Sequence, residues 1–251
     1  MDPNRQYSRT SVGLITYNHA DHVGGQGATG LETVVEQYSI GTMHFSGVRA
    51  DTDTQDNLDQ LVENSGVPTS TLERGDGHKI TPMEDSYGVS VLNPRQGEAE
   101  EIEDPDSRIL DKTSIVLKVE HGDNTIVLSS DIRDNREEWL VKNSDLDATI
   151  LQASHHGSAS GNSEMYLDAT DPSYVIISSE SPDIGDNPDA KTLGRISNHT
   201  TAKVGWTADG EHHGTITFNI AKEKVTDEQF ETEFIAATDP DVTREIIKEL
   251  E

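Results

Sequence analysis

The segment Tyr17-Asn18-His19-Ala20-Asp21-His22 sets two imidazoles and a carboxylate within four positions, after an apolar run and before Gly24-Gly25. Imidazole nitrogen and carboxylate oxygen together suit zinc, or manganese where carboxylates dominate, so this is a candidate metal loop. Polar loops also carry such residues without binding anything, and the cluster alone does not separate the two readings. Two more strand-like runs end in ligand-type side chains. Asp131 follows Thr125-Ile126-Val127-Leu128, and His155-His156 follow Ile150-Leu151, with Gly157 next to permit close approach of a metal or substrate. Asp131 reads equally as the N-cap of a helix beginning near Asp134. One metal centre at the edge of a sandwich would explain all three places together.

The elements that must hold these residues alternate. Residues 11–17 read as a strand, 30–38 as a helix, 40–46 as a strand, and 54–66 as a helix stopped by Gly66. A β-rich stretch follows at 69–73, 87–94, 113–122 and 124–131, where "KVEHGDNTIV" carries a hairpin signal. The acidic segment 95–111 between those strands reads as a solvated loop. Helices over 134–142, 162–169 and 189–198 then alternate with strands over 148–152, 173–178 and 202–206, and a last strand covers 214–220. The fold class is α/β, and strand runs followed by strand–helix alternation suggest an αββα sandwich, although the pattern alone does not select it over other α/β layers. Residues 1–221 form the domain; 222–251 are a charged C-terminal tail with helix expected at 240–250.

Aspartate and glutamate number 47 against 19 lysines and arginines, a formal charge of −28. Apolar residues are only 32% of the chain, yet the recurring strand runs argue for a folded protein with an acid-coated surface rather than for disorder. Such a surface suits a salty, halophilic cytoplasm, where the Debye length shrinks to roughly 3 Å near 1 M salt. It also disfavours generic coating of nucleic acid, while leaving open a local contact with a phosphodiester. With no cysteine, thiolate metal sites and disulfides are excluded. No apolar run approaches the roughly 20 residues of a membrane helix, so a cytoplasmic protein without membrane contact is expected.

In order, "TYNHADHVGG", "SIVLKVEHGDNTIVLSSDI", "ATILQASHHGSASGNSEMYLDATDPSYVIIS" and "TADGEHHGTITF" resemble the metallo-β-lactamase fold superfamily. The chain is most similar there to the hydrolase domain of DNA-internalisation competence proteins, and it shares the "HHG" element with phosphorylcholine esterases. The resemblance covers residues 11–220. It implies a metal-dependent hydrolase, with a phosphodiester as the substrate class and one or two zinc or manganese ions as cofactor. Carried over by position, the metal ligands are His19, Asp21, His22, Asp131 and His156. Asp21 or Asp131 would orient the attacking water, and His155 would stabilise charge or assist the leaving group. Whether His155 or His156 is the ligand stays open in the sequence.

The chain also departs from that pattern. Tyr17 stands at the first ligand position, and a neutral phenol with a pKa near 10 is a poor ligand. The superfamily's middle histidine is missing from "RILDKTS", where Asp111 is the one side chain suited to a metal. Asn187, in Asp186-Asn187-Pro188, replaces a histidine that contacts substrate in the relatives. Relatives carry β structure ahead of the metal motif where this sequence has residues 1–10. Either its start lies further upstream, or the first sheet lacks its first N-terminal strands and presents an edge open to a partner strand. These departures favour a second reading, a catalytically degenerate binding or assembly module. His44, His121 and His199 read as structural, His78 as a loop residue, and His212 and His213 as a turn.

Overall fold

A computed structural model describes residues 11–25, 29–80, 87–179, 187–209, 212–213, 215–218 and 230–233. The chain falls into two compact units, Met1–Asp85 with Val89–Val116, and Ser86–Gly88 with Leu117–Glu251. Parallel and antiparallel strands are mixed with helices in the described residues, the α/β class the sequence implies.

In the first unit, strands β1 (Ser11–Leu14), β2 (Ile40–Phe45) and β3 (Thr69–Thr71) form a parallel sheet in that order, with Leu14 beside His44 and His44 beside Ser70. Helix α1 (Ala20–Val23) is a single turn that ends on Gly24 in the left-handed conformation. A Cβ on Gly24 would lie 2.3 Å from the Cα of Gly30, so only glycine lets this turn meet the start of helix α2 (Thr29–Gln37). Helix α3 (Asp53–Ser65) starts on Thr52, whose side chain accepts from the Gln55 N–H, and stops at Gly66. Ile15, Val23, Leu31 and Leu58 make one apolar cluster of this unit. Strand β4 (Gly88–Asn93) leads into the acidic segment.

That acidic segment is not a solvated loop. Residues Ala99–Glu101 make a helical turn, and helix α4 (Ser107–Lys112) is capped by the Asp106 carboxylate on the Ile109 N–H. Leu110 joins Tyr17, Val48 and Ala50 in a second apolar cluster, and Asp111 is buried beside it. Ala99 and Ile102 pack against the same cluster, and the charge density of 95–111 hides these apolar contacts, which draw the segment in.

In the second unit, β5 (Val116–His121) and β6 (Asn124–Leu128) form the expected hairpin, with His121 opposite Asn124. Strands β7 (Ile150–Gln152), β8 (Tyr174–Ile177) and β9 (Lys203–Trp206) then add in parallel in the order β6-β7-β8-β9. Helices α5 (Asp134–Asn143), α6 (Glu164–Thr170) and α7 (Ala190–His199) occupy the crossovers. Two short antiparallel pairs complete the described residues: β10 (Ala208–Asp209) with β11 (His212–His213), and β12 (Thr215–Phe218) with β13 (Phe230–Glu233). His212 and His213 are therefore strand residues and not a turn. The helix expected at 240–250 and most of the tail from 222 lie outside the described residues.

His44 is the one buried histidine of the described residues, only 2% exposed, and neither ring nitrogen has a hydrogen-bond partner. Burial, reinforced by the positive charge of Lys79, holds its pKa below the ordinary imidazole value. In the unfolded chain His44 takes up a proton at about pH 6.5, before the folded protein does. Its contribution to stability is therefore complete above that pH and is lost as the pH falls toward the folded-state value. His44→Phe keeps the ring shape without the unpartnered nitrogens. Denaturant titrations from pH 8 to 5 should show the variant at least as stable as the parent at pH 8, with its relative advantage growing on acidification.

Candidate metal centre

In the second unit, parallel pairing brings two of the candidate segments side by side. Leu128 of β6 is in register with Gln152 of β7, and Asp131 and His155 each stand three residues beyond that pair. Side chains just past the carboxyl ends of adjacent parallel strands are well placed to converge on a ligand. The backbone there is unusual: Ser130, His155 and His156 have φ of 49°, 52° and 55°, and Gly157 follows at 81°. Non-glycine residues in the left-handed region are disfavoured by roughly 1–2 kcal/mol each, so surrounding contacts must hold them. The His155 N–H donates to the Ser130 carbonyl at 2.8 Å, fastening one strand end to the other. The sequence suggests that Gly157 permits close approach of a metal or substrate; the described contacts give it a packing role. A Cβ there would lie 2.8 Å from the Pro188 side chain, so the glycine serves packing.

Asp131 is 2% exposed, and it is not a helix cap: α5 begins after Arg133. Its Oδ2 lies 3.4 Å from His156 Nε2 and 3.8 Å from His155 Nε2. His156 Nδ1 lies 2.6 Å from the Ser178 carbonyl oxygen. A carbonyl only accepts, so Nδ1 carries a proton, and in the neutral ring the Nε2 lone pair points to the Asp131 side. Two ligands held about 2.1 Å from a tetrahedral ion lie roughly 3.4 Å apart, so the spacing of this pair fits a shared cation. This geometry distinguishes the two histidines: His156 has a metal-ready nitrogen oriented by a main-chain acceptor.

The first unit supplies its own pairs. His22 Nε2 is 3.6 Å from Asp21 Oδ2, and His22 Nδ1 is 3.0 Å from the Thr16 hydroxyl. The Thr16 hydroxyl can donate or accept, so this bond orients the His22 ring without fixing its tautomer. His19 Nδ1 lies 3.8 Å from Oδ1 of the buried Asp111. Tyr17, 1% exposed, lies beneath both imidazoles, its ring centroid 4.5 Å from that of His19 and 4.4 Å from that of His22. The residue at the first ligand position thus acts as a floor on which the loop's histidines rest.

Asn18, buried between Tyr17 and His19 in sequence, anchors the loop. Its Nδ2 donates to the Val48 carbonyl at 3.0 Å and to Gln55 Oε1 at 2.5 Å, and Gln55 in turn donates to Asp59, which pairs with Arg49. Thr16, Asn18, Gln55 and the Ser178 carbonyl all hold candidate ligands or their loops, and sequence reading passed over them. A lone asparagine or threonine in a loop gives no periodic signal, and a backbone carbonyl gives none at all. Among the remaining histidines, His199 bridges α6 and α7, its Nδ1 2.9 Å from Asp168, and His121 stacks on Tyr87; both are structural, as expected.

No protein-family model matches the chain. Among curated proteins, ComE operon protein 3 of Bacillus subtilis (strain 168) is similar, with 22% identity over 188 residues, 74% of this chain and 22% of that protein. The chain therefore spans under a quarter of its relative's length. Among solved structures, Igni18, a novel metallo hydrolase from the hyperthermophilic archaeon Ignicoccus hospitalis KIN4/I, superposes at a TM-score of 0.40 and 11% identity, over 80% of this chain and 77% of that one. Likeness to ComE operon protein 3 across most of the chain supports the metallo-β-lactamase fold superfamily, with its metal-dependent hydrolases, as the group this sequence resembles.

Proposed function

We propose that the protein is a metal-dependent phosphodiesterase in which Asp21, His22, Asp131 and His156 hold one zinc or manganese ion. His19 and Asp111 are the side chains available to a second ion. The observation that carries this reading is the Asp131–His156 pair, spaced at 3.4 Å with the imidazole's other nitrogen committed to a main-chain oxygen. A bound metal of this kind lowers the pKa of a water, toward about 7 in good zinc sites, and polarises the scissile group. Asp131 or Asp21 would accept a hydrogen bond from the attacking water and fix its direction. His155, beside Asp131 and partly open to solvent, would stabilise charge on the substrate or protonate the leaving oxygen. The phosphodiester is chosen by likeness to competence-type relatives, since one fold hosts many chemistries.

Among the described residues no helix is long and apolar enough to cross a membrane. We place the protein in a salty cytoplasm, acting on a phosphodiester or other small substrate, without coating nucleic acid or binding a membrane. The net charge of −28 supports that placement. The buried Tyr17 at the first ligand position favours the second reading, a module that keeps the scaffold and has lost the reaction.

Metal content separates the two readings. Protein purified in high salt without chelator should carry zinc or manganese at one to two equivalents, and a nearly metal-free preparation would support the module. With metal bound, Asp131→Ala should lose about 100-fold or more of bis-p-nitrophenyl phosphate hydrolysis while circular dichroism stays unchanged. Tyr17→Phe keeps the aromatic floor. It should leave metal content unaltered and cost no more than about 1.5 kcal/mol of stability, whereas a marked loss of metal would mean that the phenol oxygen is itself a ligand.

A further inference from the structure

In the second unit, one carboxylate spans the two segments that carry Asp131 and His156. We propose that Glu137 is a positioning residue for these ligands, acting through Asn162. The inference rests on the metal-dependent reading above.

Glu137 lies in the first turn of α5, the helix that follows Asp131, and it is 0% exposed. Its Oε1 accepts the Asn162 N–H at 2.6 Å and its Oε2 accepts the Ser163 N–H at 2.8 Å. Asn162 then clasps the residue just before the two histidines. Its Oδ1 accepts the Ser154 N–H at 2.9 Å, and its Nδ2 donates to the Ser154 carbonyl at 2.8 Å. Asn162 has a φ of 56°, a conformation that asparagine tolerates better than most residues. Gly161 sits between the two segments, where a Cβ would lie 3.0 Å from the Ser154 side chain and 3.1 Å from the Ile132 carbonyl. The far side of the loop is fixed by Arg195, which donates to the carbonyls of Ala159 and Gly161, and by Thr192, which donates to that of Ser158.

The choice of side chain is informative. Two main-chain N–H groups meet two oxygens, so both oxygens must accept. A glutamine offers one oxygen and would set its NH₂ against the other N–H. Burial raises the Glu137 pKa, opposed by these same hydrogen bonds. An apolar residue would leave both N–H groups without their acceptor, so the carboxylate fixes where the Asn162–Ser163 turn sits. That geometry reaches His156 through the Asn162 clasp on Ser154.

The test compares Glu137→Gln with Thr170→Val in the full chain. Thr170 is equally buried and donates to the Tyr166 carbonyl, away from the clasp, so it reports a stability loss without repositioning. Zinc affinity is measured by competition with a chromophoric chelator, and the imidazole tautomers of the metal-free proteins by long-range ¹H–¹⁵N correlation. Glu137→Gln should bind zinc about 10–100-fold more weakly and shift His156 away from a single Nδ1–H tautomer, with Thr170→Val unchanged in both. Asn162→Asp, which keeps the oxygen that accepts from Ser154 but puts a second oxygen where the donor was, should move the same way and replaces Glu137→Gln if that variant does not fold. Zinc affinity unchanged in Glu137→Gln, or falling equally in Thr170→Val, would overturn the proposal. If the parent itself binds no metal, the metal-dependent reading fails instead. The tautomer measurement then still decides the positioning role, and an unaltered His156 spectrum in Glu137→Gln would refute it.

Discussion

A carboxylate withdrawn from water must be given partners, and Asp131 at the end of β6 is the group on which the second unit's architecture turns. Taking a charge out of water costs several kcal/mol, even after relaxation. Asp131 faces two imidazoles, and its 3.4 Å spacing from His156 suits a cation shared by two ligands. The left-handed backbone at Ser130, His155 and His156 keeps these groups facing one another, and the hydrogen bonds around them offset the strain. Three separate devices secure this small region: the His155–Ser130 main-chain bond, the Asn162 clasp on Ser154, and the Tyr166 hydroxyl, 2.9 Å from that of Ser129 just before the bend. That much support around a strained turn is what a preorganised ligand set requires.

The first unit solves a related problem with different means. Its candidate ligands sit on a loop and a single helical turn, and Asp21 keeps 58% of its side chain in water. Rigidity comes from below, where the Tyr17 ring packs against His19 and His22 and is itself set among Val48, Ala50 and Leu110. The Asn18–Gln55–Asp59 chain then ties the loop to α3. A residue that cannot easily ligate has become the loop's packing floor, so the departure from the superfamily pattern has a physical role of its own.

Much of the α/β organisation was legible because its signals are periodic. The β5–β6 hairpin announced itself through β-branched runs around Gly122, and α3 through its spacing and Gly66. The candidate ligands were legible as residue types at strand ends, and register explains why: parallel pairing carries Asp131 and His155 to the same height beyond β6 and β7. What stayed hidden depends on single contacts. Helix α4 was masked by the charge around it, although Leu110 joins the core and Ala99 and Ile102 pack beside it. The tautomer of His156 hangs on the Ser178 carbonyl, which no side-chain pattern reveals. Glu137 carried no signal in the sequence, which cannot show that its oxygens meet two main-chain donors.

The most direct test of the account is X-ray absorption at the metal edge of the purified protein. A shell of mixed nitrogen and oxygen near 2.0–2.2 Å, with outer-sphere scattering from two imidazoles that falls to one in His156→Ala, is what the account predicts. An all-oxygen shell, or an imidazole contribution unaffected by His156→Ala, would contradict it.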